Sequence, residues 1–270
     1  MKKIKYALLD TDYISKTHLI KGSNDNKLID RIMEMSGYQF FCHEQIKDEL
    51  ERHDIGKTAE WLKKAIISDA VHCITDEDLI NELHAVYNDS AEAVYANMLK
   101  NGCEAYKKGL FEETFTRVKS VNYLHTTKES FLKILKKDCD DIGTGNNLGE
   151  LKSYVLFQML SIKYGEKIYV FCSDDRNARN GIVSLGGARC ISVLSSFMRL
   201  SKECGFTGTD AEPYIKSYIN ELNKTNQFTF KIHEATKEMR MCRVPCEQVL
   251  KDIYNGRLEE LQNGDLRYKI

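Results

Sequence analysis

Apolar residues fall in short blocks with two kinds of spacing. Residues 4–9, 38–42, 71–74, 167–172 and 188–193 are largely continuous apolar runs of strand length, rich in aromatic and β-branched side chains. Between them the apolar positions recur at helical intervals. Leu28, Ile29, Ile32, Met33 and Met35 mark a helix over 25–36, Ile46 and Leu50 one over 44–53, and Trp61, Leu62, Ala65 and Ile66 one over 57–68. Thr75-Asp76-Glu77-Asp78 has the composition of a helix start. A polar helical stretch follows over about 76–137, with Ala91, Val94, Tyr95, Met98 and Leu99 as its stripe. The segment 148–163 is apolar on most faces, which predicts a helix buried between layers. Helices are also expected over 175–185, 194–204, 214–223 and 246–255, with a further strand over 228–232.

Strands alternating with helices argue for an α/β fold, three-layer α/β/α with a central, mostly parallel sheet. The Gly- and Thr-rich stretch 205–213 is the best boundary. It divides the chain into residues 1–204, carrying a helical insertion over about 76–137, and a small α/β extension over 205–270 expected to pack on the main domain.

Composition narrows this picture modestly. The 270 residues include 39 basic and 40 acidic side chains, so no global basic field announces nucleic acid. No apolar run reaches the ~18–20 residues of a membrane span, so no membrane partner is expected. The apolar stretch behind Met1 breaks at Asp10, too early for a secretory leader. Nine cysteines, an odd number without framework spacing, predict free thiols and a cytoplasmic location.

The candidate chemistry lies where apolar runs end. Asp10 follows the first strand and Glu49 lies just beyond the second. Glu150 opens the apolar helix, and Asp174 and Asp175 follow the strand at 167–172. Taken singly, such acids are ordinary loop residues or helix caps. Converging at one end of a sheet, they would form a cage of hard oxygen ligands suited to Mg²⁺ or Mn²⁺. Phosphodiester hydrolysis needs an activated water, charge neutralisation and leaving-group stabilisation. A carboxylate-held cation can supply all three without a protein nucleophile.

In that order these motifs resemble the PIN-domain family of metal-dependent ribonucleases. Leu8-Leu9-Asp10-Thr11-Asp12 is similar to its first strand and acid, Ile46-Lys47-Asp48-Glu49-Leu50 to its second-acid helix, and Gly149-Glu150-Leu151 to a Gly-Glu variant of the third. Val170 to Arg179 resembles a fourth motif with two Asp, and Gly186 to Val193 the last strand. The resemblance implies an endoribonuclease acting on single-stranded RNA, with Asp10, Glu49, Glu150 and Asp174 or Asp175 as metal ligands. It implies substrate-site roles for Asp12, Ser173, Arg176 and Arg179, and an inhibitor protein or a second copy as protein partner. His43 is a further candidate substrate contact.

Two other features bear on function. Between Lys100 and Lys137, nine Lys/Arg stand against four Glu, with Tyr106, Phe111, Phe115, Tyr123 and Phe131 interleaved. That is either a solvated helical hairpin or a basic, aromatic flap over a phosphate-bearing substrate. Asp10-Thr11-Asp12 is also close to the opening of haloacid-dehalogenase phosphatases, where Asp10 would be a nucleophile. That reading leaves Glu49 and Glu150 without a role. A PIN-like module that binds RNA or protein without cutting is the non-enzymatic alternative.

Overall fold

The structure is a computed structural model describing residues 4–52, 56–106, 111–142, 148–165, 168–184, 188–222, 225–233, 239–255 and 257. In chain order its elements are β1 (Lys5–Leu9), α1 (Thr11–Leu19), α2 (Leu28–Met33), β2 (Tyr38–His43), α3 (Glu44–Arg52), α4 (Gly56–Ile67), β3 (Val71–Ile74), α5 (Asp76–Tyr87), α6 (Ala91–Tyr106), α7 (Phe111–Thr114), α8 (Thr116–Lys119), α9 (Lys128–Ile142), α10 (Leu148–Tyr164), β4 (Ile168–Cys172), α11 (Arg176–Ser184), β5 (Ala188–Ile191), α12 (Val193–Cys204), α13 (Gly208–Glu221), β6 (Gln227–His233), β7 (Met239–Pro245) and α14 (Cys246–Tyr254). The fold is α/β, with a parallel five-stranded sheet flanked by helices in a three-layer arrangement.

The chain divides into two compact units, residues 1–15 with 37–191 and residues 16–36 with 192–270. The first holds the sheet, in the order β3-β2-β1-β4-β5. β1 is central, with Lys5 to Leu8 paired to Tyr38 to Phe41 and Lys5 to Leu9 paired to Ile168 to Cys172. Neighbours on both edges and helices on both faces explain why Ala7, Leu8 and Leu9 are buried in one unbroken apolar run. Successive strands build outward from β1 through β2 to β3, then restart on its other side with β4 and β5. That reversal opens a crevice beyond the carboxyl ends of β1 and β4, the usual ligand position in such sheets.

The helical stretch 76–137 is part of this unit's core. Leu79, Tyr95, Leu99, Phe111, Phe115, Phe131 and Leu135 join one cluster with Tyr6, Leu8, Phe41 and the inward side of α10. The aromatic flap expectation is corrected accordingly. Phe111, Phe115 and Phe131 are buried and Tyr123 is partly buried, so these rings fill the core instead of offering a stacking surface to bases. Lys107 and Lys108 lie outside the described residues.

In the second unit, α12 packs with α2 and α14, and α13 with α14. A boundary at 204/205 would separate α12 from α14; the division falls instead between Ile191 and Ser192. α13 begins at Gly208, earlier than the spacing predicts, because Thr207 and Asp210 form a capping box there. The antiparallel hairpin of β6 and β7 completes the unit.

Candidate metal centre

Asp10 is the residue after β1. Its N–H continues the ladder to the Cys172 carbonyl of β4 (3.0 Å), which places the carboxylate at the crevice between the two strands. The side chain is only 5% exposed. Its Oδ2 accepts from the Ser173 hydroxyl (2.7 Å) and its Oδ1 from the Thr11 N–H (2.9 Å). Burial pushes the Asp10 carboxyl up from 3.8 to about 7. The Ser173 hydrogen bond opposes this, while the charges of Glu150, Asp12 and Glu49 reinforce it.

Those three acids arrive from different elements. Asp12 is in the first turn of α1. Glu49 is on α3, and its carboxylate is held at both oxygens. Oε2 accepts from the Thr11 hydroxyl (2.7 Å) and Oε1 from the Gly149 N–H at the start of α10 (2.9 Å). A Cβ at 149 would lie 2.7 Å from Glu49 Oε2, so a larger residue would push the carboxylate off these partners. Glu150, the next residue, thereby reaches the group around Asp10.

Ser173, Asp174 and Asp175 form the loop after β4. Ser173 Oγ binds Asp10 and also accepts from the Asp175 N–H (3.1 Å), so it ties the loop to the acid group. Asp175 caps α11, accepting from the N–H groups of Asn177 (2.5 Å) and Ala178 (3.0 Å). Of the adjacent pair, Asp174 is therefore the better candidate for a ligand. Arg179 donates from Nη1 to the Ser173 carbonyl (2.9 Å), bracing the same loop. The side chain of Arg176 lies outside the described residues.

Among the described residues, the ligand atoms that fall within 4.8 Å of one another belong to His43, Glu44 and Asp76. This second cluster already holds a cation. Lys152, 1% exposed on α10, donates to both oxygens of Asp76 (2.8 Å each) and to the Tyr95 hydroxyl (2.9 Å). Tyr95 in turn donates to Asp76, and the Asp76 N–H donates to Glu44 (3.0 Å). His43 accepts the Gln45 N–H at Nδ1 (3.1 Å), which leaves Nε2–H to donate to Asp76 (3.0 Å). Burial raises the Asp76 carboxyl, but Lys152 and His43 more than reverse this and hold it well below the usual range. A metal here would have to displace a buried ammonium. The expectation that His43 contacts substrate is corrected, since it is buried and committed to Asp76.

Sequence reasoning missed Thr11, Tyr95 and Lys152. Lys152 carried a partial signal: it stands between Glu150 and Lys163 in a largely apolar helix, where a buried charge requires a partner.

The group around Asp10 is chemically suited to Mg²⁺ or Mn²⁺. It offers only hard oxygens, and Asp10, raised chiefly by burial and further by its acidic neighbours, lacks positive charge, although no three of these carboxylates bring ligand atoms within 4.8 Å of one another. No family model, curated protein or solved structure matches this chain. None of the described helices is long and apolar enough to cross a membrane.

Proposed function

We propose that this chain is a Mg²⁺- or Mn²⁺-dependent phosphodiesterase of PIN-like type, an endoribonuclease acting on single-stranded RNA. The observation that carries the reading is a buried Asp10 at the reversal of strand order, with Asp12, Glu49 and Glu150 close enough to raise its pKa. Several carboxylates near one another repel a phosphate unless a cation stands between them. When bound, the cation supplies Lewis acidity and an activated water.

On this reading Asp10, Glu49, Glu150 and Asp174 hold the ion. Ser173 orients Asp10, and Thr11 with the Gly149 N–H orients Glu49. Asp10 must lose its proton to bind, so cation affinity should climb with pH until about 7.

The test is cleavage of an unstructured RNA oligonucleotide in Mn²⁺ or Mg²⁺. Activity should vanish in chelator and fall by several orders of magnitude in Asp10→Asn. Undiminished cleavage by either would sink the metal mechanism. Tight RNA binding without cleavage would favour the binding module, and a trapped aspartyl-phosphate at Asp10 the phosphatase.

A further inference from the structure

The hydroxyl of Tyr106 is a polar group next to the acids that their own hydrogen bonding does not use. Tyr106 ends α6, where this helix meets α10 and α11. Two glycines set its position. A Cβ at Gly102, one turn earlier on α6, would lie 2.4 Å from the Leu151 side chain, which sets the end of α6 beside the first turn of α10. A Cβ at Gly181 of α11 would lie 2.0 Å from a Tyr106 ring carbon, so the ring lies against that glycine. The residue is partly exposed, but the phenol oxygen is buried and has no hydrogen-bond partner among the described residues.

Such a hydroxyl has given up water without replacement, and a buried polar atom left in that state calls for a ligand or an ordered solvent molecule to complete it. A tyrosine hydroxyl can donate, and this one lies within electrostatic reach of Glu150 and Asp10. The acids contribute only acceptors. A phosphate entering beside them presents acceptor oxygens too, and needs donors.

We propose that the Tyr106 hydroxyl donates a hydrogen bond to a phosphate oxygen of a ligand held at the Asp10, Glu49 and Glu150 group. This rests on reading those acids as a cation site. The ring already lies against Gly181, so little ordering remains to be done on binding.

The experiment compares Tyr106→Phe with the wild-type chain, using inorganic phosphate as probe and Mn²⁺ as the cation. Phosphate binding is read from Mn²⁺-dependent broadening of the ³¹P signal, Mn²⁺ binding from water proton relaxation, and stability from melting in chelator. The variant should bind phosphate about tenfold more weakly, bind Mn²⁺ equally well and melt no lower than wild type. Equal phosphate affinity, weaker binding of Mn²⁺ alone, a melting temperature lower by several degrees, or wild-type protein that takes up no phosphate would each overturn the assignment. The phosphodiesterase reading fails separately. If Tyr106→Phe loses phosphate affinity as expected but the wild type cuts no RNA, the donor role stands and the nuclease does not.

Discussion

At the scale of single residues, Asp10 makes a prediction about metal-free stability. Its carboxyl sits at about 7 in the folded chain against 3.8 as the ordinary value, so between those pH values the folded state binds more protons than the unfolded one. Stability from this group is therefore highest at low pH and falls as pH rises through that window, by up to about 1.4 kcal/mol per unit. Above about 7 both states are ionised and the loss is complete. Asp10→Asn removes the slope. Urea unfolding in chelator at pH 5 and pH 8 should show the variant gaining on wild type by a few kcal/mol at the higher pH, at about 1.4 kcal/mol per unit. An identical pH dependence for the two proteins would mean that Asp10 is not held protonated by its surroundings. The same substitution that stabilises the empty protein should abolish cleavage, because the charge that destabilises the fold is the one that attracts the cation.

α10 is the element on which both charge clusters depend. Its first turn supplies the Gly149 N–H to Glu49 and carries Glu150 toward Asp10, and two residues later Lys152 enters the network of Asp76, Tyr95 and His43. A buried ion pair stripped of one partner leaves an uncompensated charge. Lys152→Met should therefore cost about 3–5 kcal/mol in chemical denaturation, at neutral pH where Asp76 is ionised. Adding Asp76→Asn should recover part of that loss, since the two side chains contact each other and their effects cannot add. Strictly additive losses would show that the pair is not coupled. The element also shows why this lysine's partner does not announce itself. Helical spacing reports which faces are apolar, and a charge neutralised inside the core obeys the same spacing as a leucine.

For the whole molecule, the charge distribution decides how a polyanion would be held. Net charge is −1, so attraction must come from local patches. Within 111–142, Arg117 pairs with Asp138 and Asp141 and Lys128 with Glu77, whereas Lys119, Lys133, Lys136 and Lys137 are exposed. Changing these four lysines to alanine should weaken single-stranded RNA binding and reduce its logarithmic salt dependence by as much as about 3, at ~0.7 per phosphate contact. Melting temperature should change little because the side chains are solvated. An unaltered salt slope would place the RNA elsewhere on the surface.

Strands, the buried helix and the parallel sheet were legible in the sequence because each depends on local periodicity. Ile168 to Cys172 is apolar without a break, and a strand buried on both faces must be. The positions of Asp10, Glu150 and Asp174 were legible for the same reason, as strand ends and helix starts show as breaks in those runs, whereas Glu49 lies inside α3 and stood out by its motif. α1 was not, since Thr11 to Leu19 has weak amphipathic contrast, and neither was β7, whose Arg240, Arg243 and Pro245 disguise a strand. Which long-range neighbours each acid meets was decided only by the tertiary structure. Asp174 and Asp175 are equivalent in sequence, yet Asp175 is taken by the N–H groups of α11. The aromatic residues of 111–131 pattern equally well as a flap or a core, and only packing against the sheet makes them core. Local spacing fixes which way a side chain points on its own element, whereas its partner is set by which other element the fold brings to that face.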